Sequence, residues 1–127
     1  MSESKRVLVV DDDESIRAIV EMALQDEGYV VRAAEHGAAA LALIDAWPPD
    51  VILLDMKMPV MDGWTMAAAY RQRPRPHAPI VVLTAAQDAT RWAAEIAADD
   101  VLAKPFDLDN LFAVVDHHTA AGAEAAR

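Results

Sequence analysis

Three short runs of uninterrupted apolar residues, Val7 to Val10, Val51 to Leu54 and Ile80 to Leu83, constrain the fold of this chain more than any other feature. A strand with one solvated face alternates apolar and polar positions, whereas a strand apolar at every position is buried on both faces, as in a parallel sheet covered by helices. Between the runs the spacing changes: Ile16, Ile19, Val20, Ala23 and Leu24 recur at helical intervals, and Leu41 with Ile44 marks a second stripe. Gly28 closes the first helix, and Tyr29 to Arg32 reads as a brief second strand. Gly37 precedes an Ala-rich second helix that ends before Pro48 and Pro49. Asp62 and Gly63 open a third helix running towards Arg73, after which Pro74, Pro76 and Pro79 impose an extended connection. Asp88 to Ala97 reads as a fourth helix and Val101 to Ala103 as a short last strand. Asp107 is the expected N-cap of a final helix carrying Leu108, Leu111, Phe112 and Val115. Five strands alternating with five helices through right-handed crossovers give an α/β fold with a doubly wound parallel sheet. The expected core spans about residues 5 to 118, followed by a frayed tail.

At 127 residues and 54% hydrophobic composition, the chain reads as one domain, 1–127, with one sizeable core and no room for a second folded module. A net charge of -10 has the wrong sign for a protein that gains affinity by neutralising phosphates, so no direct nucleic-acid partner is expected. The absence of cysteine excludes disulfides, thiolate metal sites and a cysteine nucleophile. Val7 to Val10 is far shorter than a signal-peptide core or the roughly 20 residues of a spanning helix, so a cytoplasmic, soluble protein with no membrane partner is expected.

In open parallel sheets, ligands sit at the carboxyl ends of the strands. There the sequence places Asp11, Asp12 and Asp13 after the first run, Asp55 after the third, Thr84 after the fourth and Lys104, followed by Pro105, after the fifth. Converging carboxylates repel one another and call for a cation, and an all-oxygen donor set suits Mg2+ better than zinc. A lysine and a threonine hydroxyl across the same crevice complete a site for an anion with several oxygens, pointing to a phosphoryl group. Asp55, on the middle strand, is the placed nucleophile. Asp13 and Glu14 also fit a simpler role as acidic residues at the positive end of the first helix.

From VLVVDDDESIR through VILLDMKMPVMDGW and IVVLTA to VLAKPF, the chain resembles the receiver domain of bacterial response regulators over nearly its whole length. The resemblance implies a flavodoxin-like sheet of order 2-1-3-4-5. It implies that Asp55 is the phosphoacceptor, Asp12 the direct magnesium ligand and Asp11 the water-mediated one, with Asp55 and the backbone carbonyl of Lys57 completing the metal's protein ligands. Thr84 and Lys104 become the phosphoryl contacts, and the peptide bond from Lys104 to Pro105 is expected to be cis. The implied activity is not that of an enzyme on other substrates: a histidine kinase or histidine phosphotransfer protein donates a phosphoryl group to Asp55. Output then passes by docking to an unknown downstream protein, the chain itself being a monomer or weak dimer.

Three departures from the family pattern fall on one face. Val101 stands where receivers usually carry a Tyr or Phe switch, and valine has no ring to rotate inward. The interval from Thr84 to Val101 is shorter than usual, implying a shortened fourth helix or a trimmed entry loop. Ala97 replaces a frequent glycine. Lys57 either screens the phosphoryl charge or extends into solvent, and with Ala86 it is expected to tune the phosphoryl lifetime. Trp64 is read as a packing residue near the site, and Trp92 as core or partner contact beside Arg91 and Glu95. His36 and His77 are read as loop residues, and His117 with His118 as a solvated helix end.

Alternatives within the class are a relay intermediate, a phosphate sink, or a receiver-like binding module that is never phosphorylated. A phosphatase of the haloacid dehalogenase type shares the aspartate, magnesium, hydroxyl and lysine. It places its nucleophile in a DxD pattern after the first strand, which this chain does not do.

Overall fold

The structure, a computed structural model, describes residues 4–125, with side chains described from 4 to 119. Five strands, β1 (Arg6–Val10), β2 (Val30–Ala34), β3 (Val51–Leu54), β4 (Ile80–Ala85) and β5 (Asp100–Lys104), alternate with five helices. These are α1 (Glu14–Asp26), α2 (Gly37–Ala46), α3 (Gly63–Arg71), α4 (Ala86–Glu95) and α5 (Leu108–Ala125). Every strand pair is parallel, and the order across the sheet is β2-β1-β3-β4-β5.

Because side chains alternate along each strand, the apolar runs feed two cores. Leu8, Val10, Ile52, Leu54, Ile80 and Val82 face α2, α3 and α4 through Leu41, Ile44, Met66, Tyr70, Ala93 and Ile96. Val7, Val9, Val51, Leu53, Val81 and Leu83 face α1 and α5 through Val20, Leu24, Leu111 and Val115. The four residues of β3 are fully buried, each such aliphatic side chain contributing about 1.5–3 kcal/mol.

Aspartates open three of the helices at the carboxyl end of the sheet. Asp13 accepts from the backbone N–H of Ser15 (2.8 Å), Asp62 from Thr65 (2.8 Å) and Asp107 from Asn110 (2.8 Å). Gly28, at φ +95, provides the left-handed turn after α1.

Several boundaries differ from those read in the sequence. β2 runs to Ala34, pairing with β1 through Val10↔Ala34, and α3 stops at Arg71. β4 continues through Thr84 to Ala85, held by pairing with β5 up to Ala85↔Lys104, so Thr84 lies within the strand and not after it. α4 begins at the next residue, Ala86, and ends at Glu95; its N-cap, Ala85, makes no side-chain capping bond, which is why its start carried no signal. β4 therefore runs directly into α4, with no entry loop between them in the interval from Thr84 to Val101.

His36 is the N-cap of α2 and not a plain loop residue, its Nδ1 accepting from the Ala39 N–H at 3.1 Å. α5 stays helical to Ala125, beyond the expected core limit at 118; the last two residues of the expected frayed tail lie outside the described residues. His117 and His118 are thus inside a helix. His118 is not solvated, for its Nε2 lies 3.0 Å from Oδ2 of Asp100 on β5 and its side chain is 12% exposed. Among the described residues no helix is long and apolar enough to cross a membrane.

Candidate functional site

The register of the central strands sets the site. Val10 pairs with Leu54, so Asp11 and Asp55 emerge side by side, each one residue past its strand. Their backbones extend the pairing: the Asp55 N–H donates to Val10 O (2.8 Å) and the Asp11 N–H to Ala34 O (3.1 Å). Both residues are buried, whereas Asp12 is exposed. One carboxylate oxygen from each of Asp11, Asp12 and Asp55 lies within 4.8 Å of the others.

Lys104 enters from the end of β5, and its peptide bond to Pro105 is cis. Its Nζ donates to Asp11 Oδ2 at 2.7 Å and stands 3.8 Å from Asp55 Oδ1. Asp11 is otherwise held by the Asp13 N–H on Oδ1 (2.9 Å), while Arg17 donates to its carbonyl at 2.7 Å. Asp55 Oδ1 also accepts from the Met56 N–H at 2.9 Å. Thr84, buried on β4, pairs with Ala103 on β5, one position before Lys104.

Burial pushes the Asp55 carboxyl up to about 7, helped by the neighbouring Asp11 charge; Lys104 opposes the rise, and a hydrogen bond with Asp12 together with the Asp12 charge adds to it. Two anions beside a third carboxyl make its ionised form costly, so the cluster favours a divalent cation with hard oxygen ligands. The residues present fit such an ion: three carboxylates converge from two adjacent strand ends, with a single lysine to offset them. Thr84, paired with the residue before Lys104, adds a buried hydroxyl-bearing residue beside the lysine at the same strand ends.

The loop after Asp55 is fixed by close approach. Gly63 N–H donates to Met56 O (2.8 Å), and a Cβ at Gly63 would lie 2.8 Å from Asp55 O and 2.6 Å from Met56 Sδ, so only glycine brings α3 this near. Lys57 is exposed, but its side chain is not free in solvent: Nζ stands 5.5 Å from the Trp92 ring centroid on α4. Trp92 in turn meets Trp64 of α3 edge-on at 5.0 Å, and Trp64 Nε1 donates to Glu95 Oε1 at 2.8 Å. No spacing rule connects Lys57 or Trp64 with α4, so this cluster was not legible in the sequence beyond the nearness of Trp64 to the site. Val101 is half-buried on β5 opposite Val82 and packs against the core on the α3 and α4 side.

Comparison with known proteins agrees with this geometry. The family described as the response regulator receiver domain matches residues 7–116. The DNA-binding transcriptional regulator NtrC of Escherichia coli K12 is 41% identical over 112 residues, which is 87% of this chain and 24% of that protein. The transcriptional regulatory protein TcrA of Mycobacterium tuberculosis H37Rv is 39% identical over 110 residues, 85% of this chain and 43% of the relative. The chain thus spans less than half the length of either. Among solved structures, the chemotaxis response regulator CheY4 of Vibrio cholerae superposes with a TM-score of 0.83 at 34% identity, covering 91% of this chain and 99% of that one. A putative response regulator from Chloroflexus aurantiacus gives 0.85 at 36% identity, covering 93% and 99%. Fold, site geometry and sequence together make this chain a member of the response regulator receiver domain family, the receiving module of two-component signalling.

Proposed function

We propose that the chain accepts a phosphoryl group from a histidine kinase or histidine phosphotransfer protein onto Asp55, in a Mg2+-dependent step, and signals by docking to another protein. The observation that carries this reading is the position of Asp55: buried at the end of the central strand, with the Lys104 ammonium 3.8 Å from Oδ1 and the carboxylates of Asp11 and Asp12 beside it. In the proposed step an Asp55 carboxylate oxygen attacks phosphorus, the P–N bond to the donor imidazole breaks, and an acyl phosphate forms. Asp11, Asp12, Asp55 and the Lys57 carbonyl would hold Mg2+, which supplies charge neutralisation for the incoming phosphoryl oxygens. Lys104 and the Thr84 hydroxyl bind and orient those oxygens once the bond has formed. Lys104 also holds Asp11 in place beforehand, so the site is arranged before its ligands arrive.

Phosphoramidate, a small P–N donor, tests this reading when incubated with the protein and Mg2+ and followed by intact mass. A single Mg2+-dependent phosphoryl adduct, absent from Asp55→Ala, is expected; a folded wild-type protein that forms none would instead be a receiver-like binding module.

A second reading, relay intermediate or phosphate sink, is favoured by Val101, which has no ring to swing between buried and exposed positions. Back-transfer from phosphorylated Asp55 to a phosphotransfer histidine supports it, and failure with every candidate counts against it.

A further inference from the structure

Resting on the phosphorylation proposed above, we infer that Lys57, laid over Trp92, is the element through which occupancy of Asp55 reaches α4, in the absence of a ring at position 101. Lys57 lies two residues beyond Asp55 on a loop whose path is fixed by the Gly63 to Met56 hydrogen bond. Its four-carbon stem is long enough to choose between two directions. In the structure it turns to α4, with Nζ 5.5 Å from the Trp92 centroid. Trp92 is half-buried against the core, and a cation over the solvent side of such an indole is a weak, reversible contact.

Trp92 is not an isolated ring. Arg91 also stands over it at 5.8 Å and is itself paired with Asp88 at 2.8 Å, so the ring keeps one cation when Lys57 leaves. Edge-on contact with Trp64 and the Trp64 to Glu95 hydrogen bond tie α4 to the first turn of α3, beside the acceptor loop. A phosphoryl group on Asp55 brings roughly −1.5 to −2 charge. Within the reach of a lysine two residues away, that charge competes directly with the indole face. Lys57 turns towards the phosphoryl oxygens, Trp92 loses a cation, and the α3–α4 clasp relaxes on the face where Val101 provides no aromatic switch. β4 running straight into Ala86 makes the response local, since α4 has no entry loop to absorb a movement of its N-terminus.

Lysine is present only at positions 5, 57 and 104, so protein carrying 13C at the lysine ε-methylene gives three resolved signals. The Lys57 signal is assigned as the one missing from Lys57→Arg. In the unmodified wild type it is expected to be ring-shifted relative to its position in Trp92→Leu, with Trp92→Phe as the second variant should the first not fold. On treatment with acetyl phosphate and Mg2+, with the adduct counted by intact mass in the same sample, the Lys57 signal moves to the position seen without the ring. Full adduct with the Lys57 signal still ring-shifted would overturn the inference and leave the phosphorylation reading standing. A Lys57 signal that is the same in unmodified wild type and in both Trp92 variants would overturn it as well. No adduct in folded wild type would remove the phosphorylation reading, and this inference with it.

Discussion

Lys104 Nζ donates to Asp11 Oδ2 at 2.7 Å and stands 3.8 Å from Asp55 Oδ1, so the lysine's close partner is Asp11 and its contact with Asp55, the proposed acceptor, is the longer one. Asp11 is fully buried and Lys104 one quarter exposed. Removing the lysine therefore strands a buried charge, with a cost reduced by solvent on the Lys104 side. Lys104→Met is expected to lower stability by about 1–3 kcal/mol in urea titration. Lys104→Met combined with Asp11→Asn should lose less than the sum of the single changes, because each removes the reason for the other's cost.

The pH dependence of the metal-free protein follows from Asp55. Its carboxyl is raised from 3.8 to about 7 in the fold, so the folded state holds its proton after the unfolded state has released it. The stability contributed by the protonated form is fully present below about pH 4 and is lost as pH rises towards about 7. Asp55→Asn should flatten this slope and stabilise the metal-free protein by a few kcal/mol above neutrality. Magnesium should stabilise the wild type most at the same high pH, where the carboxylates are charged. Urea midpoints across the pH range, with and without Mg2+, check both outcomes.

Among the described residues, two hold left-handed backbone without being glycine. Ala97, at φ 51, follows the C-cap of α4, at the position where the sequence departs from the family's frequent glycine. Val60, at φ 66, is the centre of a three-residue turn closed by the Met61 N–H to Pro59 O bond at 2.7 Å, and it is a β-branched residue 80% exposed. Ala97→Gly and Val60→Gly are each expected to raise stability by about 0.5–1.5 kcal/mol, the larger gain at Val60, read from thermal or urea midpoints.

The buried glycine beside the acceptor loop gives the opposite sign. Gly63→Ala puts a Cβ against the Asp55 carbonyl and Met56 backbone, neither of which can step aside as a flexible side chain would. A loss of about 1–3 kcal/mol is expected, together with slower phosphorylation from a small-molecule donor, because the displaced atoms carry Asp55.

What the sequence discloses, and what it does not, divides along physical lines. The strands were readable because burial on both faces leaves continuous apolar runs, and Asp11, Asp55 and Lys104 were readable because strand ends converge in a parallel sheet. Asp107 announced the last helix by capping chemistry and Asp62 with Gly63 the start of the third, whereas Asp13 was legible only as an acidic residue at the positive end of the first helix, which it caps. The start of α4 was missed because Ala85 caps with backbone alone, and His36 because imidazole is not a usual cap. The Lys57 contact with Trp92 depends on how α4 packs beside α3, and no local pattern encodes that distance.

The central claim, that Asp55 is the residue phosphorylated, is tested most directly by reducing the acyl phosphate with borohydride, which converts that aspartate to homoserine. After acetyl phosphate and Mg2+ treatment, peptide mapping should find homoserine at position 55 and nowhere else, and none when Mg2+ is withheld. Homoserine at Asp11 or Asp12, or a phosphoryl adduct that leaves Asp55 unreduced, would contradict the account.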